Sequence, residues 1–113
     1  MVKITSSIDN DVILLAIDGE IDASSSIQLD AALGKALEQA TTAVLIDGSK
    51  LNYISSAGLG VFMSYLEDIN KKQLKLVIYG LSEKVENVFG ILGIDQLLII
   101  VSDEQTAREQ LNG

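Results

Sequence analysis

Two neighbouring serines, Ser55 and Ser56, are the residues of this chain best placed to do chemistry, because glycines follow them closely at Gly58 and Gly60. Hydroxyl groups at the start of a helix can accept hydrogen bonds from the N–H groups of the first turn, which have no partner inside the helix. The spacing leaves two interpretations open. The serines only cap a helix, or they lie on a surface that a partner reaches.

The two glycines carry information of their own. Inside a helix, each glycine costs about 1 kcal/mol relative to alanine. Glycines also remove side-chain bulk, so that a phosphate group or the backbone of another molecule can come close. Either tight internal packing or docking of another molecule would account for them.

Composition argues against most catalytic chemistry, since the chain contains no cysteine and no histidine. Disulfides, thiolate metal sites, cysteine nucleophiles and Ser-His-Asp catalysis are therefore excluded. The usual general base and the usual zinc ligand are missing too. We therefore predict that the protein is not an enzyme and has no catalytic residue, no metal site and no cofactor.

One alternative to that prediction uses carboxylates alone. Asp18, Glu20, Asp22 and Asp47 follow or end predicted strands, and they could gather at one end of a sheet and hold Mg²⁺, which prefers carboxylate oxygens. The competing interpretation is that these are solvated acids in loops. No Gly-Lys phosphate-binding loop accompanies them.

The net charge of −8, from 16 acidic and 8 basic residues, bears on the class of partner. Such a chain repels a phosphate backbone and an anionic membrane surface, so we predict no binding to nucleic acid or membranes. A basic protein partner fits better, unless the acidity serves solubility alone. No apolar run approaches the roughly 20 residues of a membrane span and no leader opens the chain, which predicts a cytoplasmic location.

The hydrophobic pattern predicts a β-hairpin followed by alternating strands and helices. The hairpin comprises strands at 2–8 and 12–17, joined by a turn at 9–11, and further strands are predicted at 43–47, 74–79 and 97–101. Helices are predicted at about 22–42, 55–72 and 82–93, and a short last helix, the least stable element, follows a capping-box pattern at 102–105. The second helix is predicted to bury one stripe of residues, namely Leu59, Phe62, Met63, Leu66 and Ile69. The third helix is predicted to bury Val85, Val88, Phe89 and Leu92.

These elements predict one α/β domain covering residues 1–113, with a mixed, mostly parallel five-stranded sheet flanked by about four helices. In such sheets, sites form beyond the carboxyl ends of the strands. The predicted loops at 19–22 and 48–56 would both lie at that end. Asp22 and Ser56 are thus expected on the same side of the molecule.

The order of elements, together with Gly19-Glu20-Ile21-Asp22 and the stretch 55–60, resembles the STAS domain of the bacterial anti-sigma factor antagonists. The resemblance covers essentially the whole chain. It implies a signalling protein that works by partner switching. Unphosphorylated, it would bind an anti-sigma factor, which is also an ATP-dependent serine kinase, and so release the sigma factor; a separate serine phosphatase would restore that form.

Laid on the family pattern, Ser56 matches the phosphorylated serine, and Gly58-Leu59-Gly60 match directly. Ala57 takes the position of a second hydroxyl residue, and Asp22 matches an acidic residue near the partner interface. Ser55 replaces the aspartate that often precedes the serine, so Ser55 stays open as an alternative acceptor. Together with Tyr53, which precedes the serines, these residues give a predicted partner-binding set of Asp22, Tyr53, Ser55, Ala57, Gly58, Leu59 and Gly60.

Two questions remain open at this stage. Tyr53 precedes the serines in a predicted exposed loop, where contact with a partner and packing are both possible. The main rival to the phosphorylation switch is a scaffold or interaction module of the same fold, in which Ser56 is only a helix cap. If the switch exists, we expect it to be local, because a phosphate at a helix N-terminus is tolerated by the free N–H groups and the dipole.

Overall fold

The computed structural model describes residues 2–111. Five strands form one sheet in the order β1-β2-β3-β4-β5. The strands are β1 Val2–Asp9, β2 Val12–Ile21, β3 Ala43–Ile54, β4 Lys75–Tyr79 and β5 Ile99–Val101, and the helices are α1 Ser26–Gln39, α2 Ser56–Ser64, α3 Leu66–Lys71, α4 Glu83–Ile91 and α5 Glu104–Gln110. A short 3₁₀ turn spans Ile94–Gln96.

Only the first pair of strands is antiparallel; β2, β3, β4 and β5 run parallel to one another. The β1–β2 turn places Asn10 at φ 58°, a left-handed conformation that asparagine tolerates better than most residues. The predicted hairpin and the mixed, mostly parallel five-stranded sheet are therefore confirmed. The carboxyl ends of β2 and β3 lie together at the end of the sheet away from this turn.

The two faces of the sheet are covered unequally. One face packs against α1, α2 and α4 and forms the main core, where the rings of Phe62 and Phe89 lie 6.0 Å apart. The other face is covered by α5, whose buried Ala107 packs near Leu45 and Val77. The main core thus fixes α2, and α5 has fewer apolar contacts to hold it.

The prediction of loops at 19–22 and 48–56 is largely wrong, because β2 continues to Ile21 and β3 to Ile54. Asp18 pairs with Lys50, and Glu20 pairs with Tyr53. Two register shifts interrupt the pairing of β2 with β3, one between Ala16 and Asp18 and one between Gly19 and Glu20. The longer strands carry the site residues on a hydrogen-bonded scaffold instead of on mobile loops.

Helix predictions needed three corrections. The predicted second helix is two helices, broken at Tyr65, whose hydroxyl hydrogen-bonds to the Asp30 carboxylate on α1. The first helix begins later, at Ser26. The last helix is capped by Asp103, not Ser102: the Asp103 carboxylate accepts the N–H of Thr106 at 2.8 Å. Ser82 caps α4, because its hydroxyl oxygen accepts the N–H of Val85 at 3.2 Å.

Two residues predicted to be buried are exposed: Met63 is 45% exposed and Leu92 55%. Met63 lies on the edge of the buried stripe of α2, because Gly58, Leu59 and Phe62 form its buried side. Leu92 follows the last residue of α4, where the chain has left the helical path. The spacing of apolar residues predicts which side of a helix is buried, but it does not predict which residues at the border of that side are exposed.

Candidate functional site

Ser55 joins β3 to α2, and its backbone groups and hydroxyl oxygen form hydrogen bonds within the fold. Its backbone is extended, with φ −87° and ψ 171°, and its N–H donates to the carbonyl of Ile21 at 2.8 Å. Its hydroxyl oxygen accepts the N–H of Gly58 at 3.3 Å, and its carbonyl accepts the N–H of Leu59 at 3.0 Å. Ser55 is therefore the N-cap of α2 and ties the start of that helix to the end of β2.

Ser56 differs from its neighbour in both exposure and bonding. It is the first residue of α2 and its side chain is exposed. Among residues 2–111, no group forms a hydrogen bond with its hydroxyl. Of the two candidate acceptors, Ser56 is thus the one whose Oγ is available to a reagent from outside.

Asp22 lies beside the start of α2, because Ile21 bonds to Ser55 and Asp22 is the next residue. Its Oδ1 accepts four hydrogen bonds of 2.8–3.0 Å, from the backbone N–H groups and the hydroxyls of Ser24 and Ser25. These bonds, above all the one from the Ser25 N–H, followed by the Ser24 hydroxyl, lower the pKa of Asp22 to about 2. The carboxylate of Asp22 is therefore ionised at neutral pH and is held by the turn that precedes α1.

Packing inside the fold requires a glycine at Gly58 but not at Gly60. A Cβ on Gly58 would lie 2.7 Å from Cγ2 of Ile21 and 2.8 Å from Cγ1 of Ile54, so Gly58 lets α2 sit against the strand ends. A Cβ on Gly60 would meet nothing within 4 Å. Internal packing explains Gly58, whereas no contact in the fold requires Gly60.

Tyr53, Ala57 and Leu59 also belong to the predicted partner-binding set. Tyr53 lies in β3, not in a loop, and its side chain is 44% exposed, so it can be reached by a partner. Ala57 is exposed beside Ser56. Leu59 is 1% exposed and Gly58 is buried as well, so both pack α2 against the rest of the fold. They hold α2 in place.

Of the acidic residues considered for Mg²⁺, only Asp18 and Asp47 line a common cavity among the described residues, beside Lys3 and Lys50. Asp18 stands between Lys3 of β1 and Lys50 of β3 in the sheet register, while Asp47 accepts the N–H and hydroxyl of Ser49 at 3.0 and 2.7 Å. Within the described part of the chain, no three acidic side chains come together in an arrangement that could hold a metal ion.

Residues 3–107 match the family model of the STAS domain. The chain belongs to the STAS domain family. The anti-sigma-B factor antagonist of Listeria monocytogenes is 31% identical to this STAS domain over 96 residues, covering 85% of this chain and 84% of that protein.

Three solved structures share the fold of this STAS domain. An anti-sigma factor antagonist from Mycobacterium paratuberculosis has a TM-score of 0.89 at 18% identity, covering 100% of this chain and 96% of that one. SpoIIAA in its unphosphorylated form has a TM-score of 0.73 at 16% identity, covering 98% and 99%. The Bacillus cell fate determinant SpoIIAA in its phosphorylated form has a TM-score of 0.70 at 14% identity, covering 95% and 98%.

Sequence reasoning missed one feature of this STAS domain, which is the outer face of α2. Its exposed residues are Ser56, Ala57, Gly60, Met63 and Ser64, and none of them is charged. The signal was available, since the stretch 56–64 contains no charged residue in a chain in which 21% of residues are charged.

As for membranes, none of the helices in residues 2–111 is both long and apolar enough to cross a bilayer.

Proposed function

We propose that this STAS domain is an anti-sigma factor antagonist controlled by phosphorylation of Ser56. Unphosphorylated, it binds an anti-sigma factor that is also a serine kinase, and the sigma factor is released. Family membership and the 31% identity to an anti-sigma-B factor antagonist support the partner class. The protein acts in the cytoplasm by binding a protein partner and catalyses no reaction. It binds neither nucleic acid nor a membrane.

The observation that carries the assignment of the acceptor is the contrast between the two serine hydroxyls. A kinase needs an accessible Oγ to attack the γ-phosphate of ATP; the hydroxyl proton is lost and ADP leaves. Ser56 offers such an oxygen, while the Ser55 oxygen lies toward its own helix and accepts the N–H of Gly58. Phosphorylation of Ser56 leaves the Ser55 cap in place, whereas a phosphate on Ser55 would have to be attached to the oxygen that accepts the N–H of Gly58.

The proposed switch works at the surface and needs no rearrangement of the fold. A phosphate adds roughly −1.5 to −2 charges, which the N–H groups and the dipole at the start of α2 tolerate. Asp22 is already charged beside it, so a partner docked there would face added negative charge and bulk. A penalty of about 3 kcal/mol would lower the affinity more than a hundredfold. SpoIIAA keeps the same fold in both its phosphorylated and unphosphorylated forms, which supports a local switch.

Two matched variants test the proposal. Ser55→Ala removes the cap and should lower the free energy of unfolding by about 1 kcal/mol while leaving the phosphate in place. Ser56→Ala should leave stability unchanged and abolish the phosphate. The measurements are urea unfolding of both variants and intact-mass and fragment analysis of protein isolated from its own host, with and without a serine phosphatase.

The opposite outcomes point to specific alternatives. A phosphate that survives in Ser56→Ala but disappears in Ser55→Ala would assign the acceptor to Ser55. A protein that carries no phosphate under any growth or stress condition, yet still binds its partner, would be a constitutive scaffold in which Ser56 has no covalent role.

A further inference from the structure

Strand β1 is a long edge strand with little to protect it. Among residues 2–111 only β2 pairs with β1, so one side of its backbone has no partner strand there. Its 8 residues pair with β2 in continuous register, without a bulge, and the chain contains no proline. Proteins usually blunt an edge with bulges, proline, charges or short strands, because its unpaired N–H and C=O groups can bind another strand. The opposite edge strand, β5, has only 3 residues. Strand β1 is therefore the edge to which a further strand can be added.

The hairpin turn determines which residues of β1 face the free edge. A two-residue loop joins Asp9 to Val12, and a turn of this length is closed by a hydrogen bond between the two residues that flank it. Hydrogen-bonded and non-hydrogen-bonded pairs alternate along an antiparallel ladder. Ile4, Ser6 and Ile8 therefore direct their backbone N–H and C=O groups away from β2. These three residues are the ones that can bond to a second strand.

The charges of β1 are complementary to those of a second copy of the same strand. Antiparallel pairing of two β1 strands about a two-fold axis at Ser6 sets Lys3 of each copy opposite Asp9 of the other. Opposite charges in directly opposed positions stabilise a pair of strands. Lys3 is exposed and forms no ion pair among the described residues, while Asp9 contacts Arg108 at 3.0 Å. In the pair of strands, Lys3 would join that ion pair; an axis at a neighbouring residue would separate Lys3 from Asp9.

The same register explains why Ile8 is 67% exposed in the single chain. Its side chain lies on the same side of the sheet as that of the half-buried Ile4, because side chains alternate along a strand. Beside Ile4, β1 and α1 border an open groove of ≈ 370 Å³, lined by Val2, Ile4, Gln28, Ala31, Ala32 and Lys35. Pairing about Ser6 sets Ile8 of one copy opposite Ile4 of the other, at this groove, and so removes apolar surface from water twice in each pair.

We propose that the chain forms a two-fold symmetric homodimer in which the two β1 strands pair antiparallel about Ser6 and join the two sheets into one. This inference goes beyond the proposed function and does not depend on it. The contact is closed, because both copies contribute the same edge and neither has a second long edge among the described residues. The two-fold axis reverses the direction of the strands. The two Ser56 residues, which follow the carboxyl ends of the β3 strands, therefore lie toward opposite ends of the joined sheet.

The register can be tested by cross-linking, because the chain contains no cysteine. Ser6→Cys sets two thiols opposite each other across the axis, with Cα atoms about 5.5 Å apart, which is a separation that a disulfide can span. Ser7→Cys is the matched control at the next exposed position, where the two Cα atoms would be about 8 Å apart, too far for a disulfide. In oxidised glutathione we expect Ser6→Cys to form a disulfide-linked dimer at least tenfold faster than Ser7→Cys. Equal rates in the two variants would overturn the proposed pairing.

Sedimentation equilibrium of the purified protein over a range of concentrations measures the association itself. Ile8→Glu places a charge in the proposed interface, and Ile91→Glu places the same charge on α4, which packs against β3 and where Ile91 is 80% exposed. We expect Ile8→Glu to weaken dimerisation about tenfold or more and Ile91→Glu to change it less than twofold, because a charge is buried only in the first. Circular dichroism and urea unfolding check that both variants fold. A wild-type protein that stays monomeric up to about 1 mM, or equal dimerisation of both variants, would overturn the inference and leave the proposed function standing.

Discussion

The two glycines of α2 offer a sharp test of the structure, because one substitution should have opposite effects at two positions only two residues apart. Neither glycine adopts the left-handed conformation that would require glycine for backbone reasons. Alanine therefore changes only helix propensity and side-chain contacts at both sites. The sign of each effect depends on what the added methyl group meets.

At Gly60 the methyl group meets nothing within 4 Å, so the gain in helix propensity should stand alone. Gly60→Ala is expected to stabilise the protein by about 0.5–1 kcal/mol. At Gly58 the methyl group would lie 2.7 Å from Cγ2 of Ile21 and 2.8 Å from Cγ1 of Ile54, and both isoleucines are buried. Overpacking of this kind costs about 1–3 kcal/mol, which outweighs the same propensity gain and leaves a net loss of about 1 kcal/mol.

Urea unfolding of the two variants and the wild type measures these signs directly. The variants should differ by about 2 kcal/mol, which separates their midpoints by about 1 M urea or more. Shifts of the same sign and size in both variants would refute the argument, since they would show that packing does not distinguish Gly58 from Gly60. A stabilised Gly58→Ala variant would mean that α2 can move away from the strand ends without loss.

Three further predictions concern other parts of the molecule. The lowered pKa of Asp22, about 2 against 3.8, means that its charge contributes stability above pH 4, and that this contribution is lost as the pH falls from 4 to 2. Asp22→Asn should therefore lower the urea midpoint at neutral pH, and the difference from wild type should shrink over that interval; a difference independent of pH would contradict this. The hydrogen bond to Asp30 raises the pKa of Tyr65 to about 12, and burial followed by the charge of Asp47 does the same for Tyr79. Both phenols should resist ionisation until the pH approaches 12, as followed by phenolate absorbance, and stability should fall as the pH rises from 10 to 12, whereas two ordinary titrations near 10 would speak against it. Finally, α5 should exchange its amide hydrogens faster than β2 and β3, because one buried alanine and surface ion pairs at Arg108 hold it; equal protection would show that it opens only with the whole domain.

The order of strands and helices was predictable because each element has a strong local pattern. The apolar runs of β2, β3 and β4 are buried on a sheet with helices on its main face, and parallel strands of this kind read as continuous apolar sequence. The caps at Ser82 and Ser55 follow from the chemistry of short polar side chains at helix starts. Such signals act over a few residues and survive without tertiary information.

The extent of β2 and β3 was not predictable, since the residues beyond Ile17 and Asp47 contain glycines, aspartates and serines that look like loop. These residues become strand because residues 18–21 of β2 pair in register with Lys50, Leu51, Tyr53 and Ile54 of β3. Pairing over such sequence distances outweighs the weak local preference for a turn. The same limit applies to Met63, whose exposure depends on where the neighbouring elements stop.

The sequence by itself determined the family-like motif, the pair of serines and the glycines that follow them, since these depend on residue type and spacing alone. Tertiary structure decided which serine is occupied and which is accessible, because the Ser55 hydroxyl binds Gly58 while that of Ser56 is exposed. It also decided which glycine the packing requires, because Ile21 and Ile54 fill the space beside Gly58 and nothing fills the space beside Gly60. Spacing places residues along a helix, whereas their roles depend on which atoms the rest of the chain brings against them.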